Sequence, residues 1–504
     1  MHLLTAKQIK AWDAFTIMHE PISAANLVER AAMFFTNAFE RYIDEVLQVK
    51  KEVPIFIFCG TGNNGADGLA VARMLCNEGR VITVLCLNGN KTEENKINFK
   101  RLKERKEIIL IEINNAREFP VMPTDCIIID ALFGSGLNRP LNDIAATLVS
   151  YLNAHKGLKI AIDIPSGLMA DIDTFEGLTT EEIFKAQRTF TFGLYKQSFM
   201  FAETYPYVGD VEVLPIGLHT AYLDEVTGNQ FLTDETWVQQ NIKTPNRFAH
   251  KGTKGHVLLI GGSYGKMGAA LLASKAALRA GCGMVTAFIP KVGYTIFQTA
   301  LPEVMVQTNE AVCELRDFTI TGNFDAIGVG PGMGTHPSTV LAFGKWLNQI
   351  KTLLLIDADG LNACAALLKI NDQFKFPEGT ILTPHPKEFE RLAGKCKDSL
   401  ERLNRQKEFA KRHKVIVVLK GAHSSIAMPD GKVYFNITGN TLLATAGSGD
   451  VLCGIITSLL AQQYKPDIAA LLGVYLHGVL ADKLKKKGIK NCIAGDIIEE
   501  LKLI

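Results

Sequence analysis

The chain of 504 residues carries 54 Lys plus Arg against 52 Asp plus Glu, with 47% hydrophobic and 21% charged residues. That composition excludes a disordered chain, and at roughly 100–200 residues per domain the length excludes a single small module. A formal net charge of +2 generates no field that marks nucleic acid or an anionic membrane as the main partner, which leaves small molecules.

The opening MHLLTAKQIKAWDAF has neither the basic start nor the apolar stretch of a signal peptide. No uncharged apolar run reaches the ~18 residues of a membrane span. The expectation is a cytoplasmic protein. Ten cysteines occur, never in the close pairs of zinc knuckles or redox motifs, and they read as reduced, buried thiols.

Short apolar runs ending in glycine or an acidic residue recur in chain order, each followed by a helical pattern. They are PIFIFCG, VITVLCL, CIIIDALFG, KIAIDIPSG, TFTFG and VEVLPIG, then HVLLIGGS, FDAIGVGPG, TLLLIDADG, TILTPHP and VIVVLKGAHSSIAM. Continuous apolar strands alternating with helices predict parallel sheets covered on both faces, an α/β architecture. Between Leu218 and about Arg247 the rhythm stops. This sets a domain boundary near residue 225, giving domains 1–225 and 226–504. The charged stretches NKTEENKINFKRLKERKE and DKLKKKGIK read as solvated helix faces.

After PIFIFC comes GTGNNGADG, Gly60 to Gly68, and then the helical pattern LAVARMLCNEG. Backbone N–H groups and a helix N-terminus aimed at one spot suit a phosphate. Gly60, Gly62 and Gly65 satisfy GxGxxG, but the strand VITVLCLNGN ends without the acidic residue that holds a ribose in a redox dehydrogenase. Ordinary NAD-dependent oxidoreduction is therefore demoted. A plain glycine-rich turn, for its part, needs neither the two asparagines nor Asp67.

Further strand ends carry DALFGSGLNRP from Asp130 and DIPSGL from Asp163. Ligands collect at the carboxyl ends of parallel strands, so these segments can share one crevice with the asparagine loop. Asn64, Asp130 and Ser166 offer hard oxygen ligands that suit an alkali or alkaline-earth ion. Asp163, at the end of an apolar strand, suits proton transfer, the plainer reading being a cap on the PSG turn.

NNGAD, DALFGSGLNRP and AIDIPSG, in this order over about 220 residues, resemble the amino-terminal domain of bacterial NAD(P)H-hydrate repair proteins. That domain is a Rossmann-like epimerase, interconverting the R and S forms of NADH or NADPH damaged by hydration of the nicotinamide ring. The resemblance implies that Asn63, Asn64, Gly65, Ala66 and Asp67 bind substrate, together with Gly134, Ser135, Gly136, Leu137, Asn138, Arg139 and Pro140. It further implies a potassium ion on Asn64, Asp130 and Ser166, and substrate contact and catalysis by Asp163. Lys196, in FGLYKQS, is a weaker catalytic candidate. Ala66 departs from the family, which commonly has a second glycine there; alanine fits where φ is negative.

Near the carboxyl end, NTLLATAGSGDVLCGIITSLLAQQ puts Gly447, Gly449 and Asp450 just before an apolar helix. Glycines admit a phosphate to backbone N–H groups and the helix dipole adds partial positive charge. An aspartate there repels phosphate unless it takes a proton from a hydroxyl attacking a phosphoryl group. No P-loop sequence occurs. VLKGAHS can line an adenine nucleotide, GPGMG offers a close backbone approach, and His385 sits between two prolines in TPHPKEFERL.

GGSYGKMGAALLASKAALRAG, GPGMG, TPHPKEFERL, VLKGAHS and TAGSGD occur in the order found in NAD(P)H-hydrate dehydratases and resemble the ADP-dependent type with a ribokinase-like domain. The resemblance implies hydrate contacts at Ala269, Gly332, His385 and Asp450, with Asp450 catalytic. It also implies nucleotide contacts at Lys420, Gly421, Ala422, His423, Ser424 and Gly449, and magnesium with ADP. Lys387 stands where the family often has glycine. The expectation is a bifunctional enzyme, isomerase and lyase, acting as a homo-oligomer that the resemblance makes a tetramer. The alternative is a ribokinase-like small-molecule kinase with a non-catalytic amino-terminal binding module.

Overall fold

The computed structural model describes residues 1–141, 143–171, 182–244, 246–371 and 373–501. The chain folds as two compact units, His2–Gly228 and Asn229–Ile504.

The first unit holds a seven-stranded sheet of β1 (Ile55–Cys59), β2 (Ile82–Leu87), β3 (Ile109–Ile113), β4 (Ile127–Ala131), β5 (Leu158–Ile162), β6 (Arg188–Phe192) and β7 (Asp210–Leu214). Its order is β3-β2-β1-β4-β5-β6-β7, and every neighbouring pair is parallel. β1, fully buried along its length, shows why the sequence reads as continuous apolar runs: helices cover both faces. β3 falls outside those runs, because at the edge of the sheet only Ile113 of its five residues is buried. The strand order reverses between β1 and β4, the position at which a parallel sheet opens a ligand crevice.

Three helices of this unit matter for the site: α1 (Ala6–His19), α2 (Ala24–Arg41) and α3 (Asn63–Asn77). α3 begins at Asn63, six residues before the helical pattern that the sequence shows from Leu69. Its glycines disguise the first turn. A Cβ on Gly65 would lie 2.0 Å from the Gly60 carbonyl oxygen, and one on Gly68 would lie 2.5 Å from Ala131 Cβ, so both allow α3 to rest on the strand ends. Ala66 lies inside this helix and is absent from the positive-φ residues, which meets the condition for alanine there.

The second unit holds a ten-stranded sheet ordered β11-β10-β9-β12-β13-β14-β15-β16-β17-β8. The strands are β8 (Gln230–Leu232), β9 (His256–Ile260), β10 (Met284–Ile289), β11 (Met305–Thr308), β12 (Ala326–Val329), β13 (Leu353–Ile356), β14 (Ile381–Leu382), β15 (Ile416–Leu419), β16 (Ser424–Ala427) and β17 (Val433–Asn436). From β11 across to β15 the pairing is parallel. β16 is antiparallel to both neighbours, so the run VIVVLKGAHSSIAM is two strands folded at Lys420–His423. Helix Ser448–Ala461 is buried along almost all of its length; a Cβ on Gly454 would lie 2.2 Å from the Ala273 carbonyl oxygen of helix Met267–Arg279. Among the described residues no helix is long and apolar enough to cross a membrane, and all ten cysteines are free.

Candidate active sites

In the first unit, the end of β4 and the segments after β1 and β5 bring Asp130, Asn64 and Ser166 together, with Asn64 and Ser166 meeting at one carbonyl. Asn64 Nδ2 donates to the Phe133 oxygen at 3.0 Å, and Ser166 Oγ lies 3.4 Å from the same oxygen. Ser166 donates to Asp130 through both its hydroxyl (2.6 Å) and its backbone N–H (2.7 Å), and Leu132 N–H adds a third bond. Asp130 is wholly buried and has no ion-pair partner among the described residues. Burial pushes its carboxyl up to about 6 against the pull of these hydrogen bonds. A buried carboxylate lacking a countercharge, beside an amide, a hydroxyl and a carbonyl, is donor chemistry that suits a hard cation, alkali or alkaline-earth.

Next to this lies Asp163, a non-glycine residue held at φ 65°, a conformation that costs backbone energy and recurs at functional sites. Its Oδ1 pairs with Lys196 Nζ at 2.7 Å and accepts from Phe192 N–H (3.1 Å) and Thr191 Oγ1 (3.3 Å). Lys196 is only 1% exposed. Asp67, in the second turn of α3, is buried with Oδ1 lacking any hydrogen-bond partner. Burial first, then the charges of Asp163 and Asp13, push its carboxyl well above the usual range. Gly134 approaches Asn64 side by side, its hypothetical Cβ 3.2 Å from Asn64 Cβ. Asn63, Gly136, Asn138, Arg139 and Pro140 are exposed at the rim, and Ser135 and Leu137 are half-buried.

In the second unit the parallel strands β9, β12, β13, β14 and β15 deliver their loops to one edge. Gly332, at φ 63°, passes so close to Lys266 and Ala269 that a Cβ would lie 2.4 Å from the Lys266 oxygen and 3.2 Å from Ala269 Cβ. Lys420 Nζ forms an ion pair with Asp357 Oδ1 at 2.9 Å, with Asp357 1% exposed. A Cβ on Gly449 would meet Lys420 Nζ at 3.3 Å, which puts the helix N-terminus directly over this pair. Asp450 lies beside them. Burial first, then the Asp357 charge, raise its carboxyl to about 7, with Lys420 pulling the other way. A group balanced near neutrality is suited to take and return a proton.

His385 caps helix Pro386–Ala393: its Nδ1 accepts from Lys387 N–H (3.1 Å) and Glu388 N–H (3.3 Å), and Glu388 Oε2 accepts from His385 N–H at 2.8 Å. With Nδ1 accepting, the proton sits on Nε2, free to donate toward Glu388 or a bound oxygen. Burial lowers the ring's pKa, so it is neutral at neutral pH. Lys387 occupies an exposed position in the helix's first turn, so its side chain is accommodated without distortion. Gly421 and Ser424 close the β15–β16 turn, Gly421 N–H donating to Ser424 Oγ at 3.3 Å. Ala422 is exposed and His423 half-buried.

Sequence reasoning missed several members of these sites. Asp357 follows the apolar strand of TLLLIDADG just as Asp163 follows that of KIAIDIPSG, so the same strand-end signal marks both. Glu388 lies three residues after His385, in capping-box spacing. Ser448 Oγ lies 3.2 Å from His477 Nε2, and burial lowers that imidazole to about 4; 29 residues separate the two, and no local pattern joins them.

Two family models match the chain: one described as NAD(P)H-hydrate dehydratase over residues 257–503 and one described as YjeF-related protein N-terminus over residues 24–198. The chain is 33% identical to the bifunctional NAD(P)H-hydrate repair enzyme of Moorella thermoacetica, covering 99% of this chain and 96% of that protein. It is 32% identical to the enzyme of the same name from Escherichia coli, over 89% of this chain and 84% of that one. A crystal structure of ADP/ATP-dependent NAD(P)H-hydrate dehydratase from Bacillus subtilis, grown with ATP and Mg2+, is 31% identical, covers 55% of this chain and 97% of its own, and superposes with a TM-score of 0.48.

Proposed function

The chain belongs to the family of bifunctional NAD(P)H-hydrate repair enzymes, and from that premise we propose that its two units perform two successive reactions on hydrated NADH and NADPH. The first unit interconverts the R and S hydrates, and the second dehydrates the S form with ADP. Spontaneous damage produces both epimers while the dehydratase accepts one, so linking the two reactions in one chain recovers the whole pool.

The observation that carries this reading is, in each unit, a lysine–carboxylate pair beside a second carboxyl whose proton affinity is raised. In the first, Asp163 and Lys196 (2.7 Å) stand beside Asp67. In the second, Asp357 and Lys420 (2.9 Å) stand beside Asp450. Asp450 takes the proton of the ring hydroxyl as that oxygen attacks the terminal phosphoryl group, and the glycine-rich start of helix Ser448–Ala461 receives the anion. The phosphorylated oxygen is then a good leaving group: it departs as phosphate while the ring-nitrogen lone pair forms a C=N+ bond, and loss of a proton from the adjacent ring carbon to water restores the reduced nicotinamide. His385, through Nε2–H, Ala269 and Gly332 border the hydrate; Lys420 to Ser424 and Gly449 hold the nucleotide.

Asp357, Glu388 and Asp450 give this site more carboxylates than cations, so Asp357 and Glu388 are the residues that would hold magnesium, whose charge screens the phosphates. In the first unit Asn64, Asp130, Ser166 and the Phe133 carbonyl would hold potassium, which anchors the loops that meet the substrate. Asn63 to Asp67 and Gly134 to Pro140 line the path of the dinucleotide. A cytoplasmic location and a homotetrameric assembly belong to the same reading, the latter checked by light scattering.

The test is recovery of reduced-nicotinamide absorbance when the full chain, magnesium and ADP act on a mixture of hydrated NADH epimers. Complete recovery, faster than spontaneous epimerisation allows, is expected. Recovery that stops once the S form is consumed removes the epimerase half. A stable phosphorylated product with no reduced nicotinamide replaces the dehydratase half with a small-molecule kinase.

A further inference from the structure

The segment after β2 supplies a helix that neither site above uses. α4 (Glu93–Lys103) carries much of the charged stretch NKTEENKINFKRLKERKE, yet only part of it is a solvated face: Asn95 and Asn98 are wholly buried. Thr92 caps the helix, its Oγ1 accepting from Asn95 N–H at 3.4 Å. Asn95 Nδ2 donates to two carbonyls of the loop after β1, those of Gly60 and Gly62, each at 3.0 Å. Between them, the Thr61 carbonyl accepts from Thr92 N–H at 3.0 Å. The start of α4 therefore clasps three successive carbonyls. Gly65 leaves room for the clasp, since a Cβ there would lie 2.9 Å from Asn95 Nδ2. Asn95 Oδ1 has no hydrogen-bond partner among the described residues. An unpaired amide oxygen in the interior costs stability, so packing alone is a poor account of Asn95.

In a trans peptide the N–H points opposite to the carbonyl it adjoins, and the described residues contain no cis bond. With the carbonyls of Gly60, Thr61 and Gly62 turned toward α4, the N–H groups of Thr61, Gly62 and Asn63 are turned away from it. None of the three donates to a protein acceptor among the described residues. Asn63 is also the first residue of α3, so the helix dipole adds to the three donors, and such a run of free N–H groups suits an anion. On its other side the loop meets the segment after β4: a Cβ on Gly60 would lie 1.8 Å from the Leu132 carbonyl oxygen. The loop thus lies between α4 and the segment that leads into Gly134 to Pro140.

Resting on the epimerase reading, we propose that Asn95 is a positioning residue of the first unit: by holding the Gly60 and Gly62 carbonyls it turns the N–H groups of the loop to the diphosphate of the dinucleotide hydrate. NADH and NADPH hydrates share that diphosphate, and a ribose separates it from the reacting ring. Its charge is the same in the ground state and the transition state, so the grip on it is uniform binding, which appears in KM and not in kcat.

The experiment follows epimer exchange at equilibrium by exchange spectroscopy, in the full chain without ADP and corrected for spontaneous exchange. Two substrates are compared over a range of concentrations: hydrated NADH, and hydrated reduced nicotinamide riboside, which has the same ring and no phosphate. For Asn95→Ala the half-saturating concentration of hydrated NADH is expected to rise about tenfold, with the maximal rate held within about twofold. The riboside has nothing to place on the loop, so the variant and the unsubstituted chain are expected to exchange it alike. Equal losses for both substrates, a fall in maximal rate alone, or no change for hydrated NADH overturns the proposal. A second measurement holds even where the variant does not fold: inorganic pyrophosphate added to the unsubstituted full chain is expected to shift the amide resonances of Thr61, Gly62 and Asn63, and unmoved resonances overturn the proposal. An unsubstituted chain with no epimer exchange overturns the epimerase reading instead, and the pyrophosphate shifts then still decide the role of the loop.

Discussion

The two units solve one problem with different geometry. Each places a lysine–carboxylate pair under a second carboxyl at the carboxyl edge of a parallel sheet. In the first unit the pair is sealed, with side-chain exposures of 1% for Lys196 and 10% for Asp163. In the second the lysine is open at 22% and its Asp357 partner sealed at 1%. A sealed pair fixes two charges permanently and suits proton traffic within a closed site. An open lysine over a closed carboxylate keeps donors available for an incoming anion, as nucleotide binding requires.

The comparison breaks most visibly at the catalytic carboxyl. Asp450→Asn should cut dehydration by about 10³-fold while epimer exchange persists; loss of both activities in a folded protein would show that the two sites are not independent. The difference in sealing comes next. Lys196→Met leaves Asp163 buried without its cation and should cost about 3 kcal/mol of stability, localised to the first unit. Lys420→Met, at a more open pair, should cost about 2 kcal/mol in the second. Urea titration followed by hydrogen exchange resolves which unit unfolds, and equal losses would erase the difference between a sealed pair and an open one.

A smaller effect follows from the raised carboxyl of Asp450. A base must be ionised to accept a proton, so dehydration should climb about tenfold per pH unit below 7 and level off above it. A flat profile between pH 6 and 7 would take Asp450 out of that role. Smallest is His385→Ala, which removes the cap of helix Pro386–Ala393 for about 1 kcal/mol. A larger loss in dehydration than this stability change explains would mark the Nε2–H as a substrate contact.

Much of both sites is legible in the amino-acid sequence because chemistry-bearing residues follow apolar strands directly. PIFIFCGTGNNGAD, IIIDALFGSG and IAIDIPSG each print a strand and then its site residues, and parallel strands must deliver such ends to one edge. Helix boundaries are less readable. The first turn of α3 hides in NNGADG because its glycines serve close packing rather than turning. β3 leaves no trace because an edge strand needs no continuous apolar run. In VIVVLKGAHSSIAM the strand end at Lys420 to Ser424 is legible, whereas the antiparallel return of the second strand is decided by its pairing.

The amino-acid sequence by itself determined the α/β class, the two-part organisation and the strand-end motifs, because these depend on short-range patterns of burial and backbone freedom. Tertiary structure alone decided which charges meet. Lys420 reaches Asp357 across 63 residues, Ser448 reaches His477 across 29, and Lys196 reaches Asp163 from the loop after the neighbouring strand. The raised carboxyls of Asp67 and Asp450 follow from burial together with neighbouring charge, and that of Asp130 from burial alone, since a carboxyl's affinity for its proton is set by the water it loses and the charges it gains on folding.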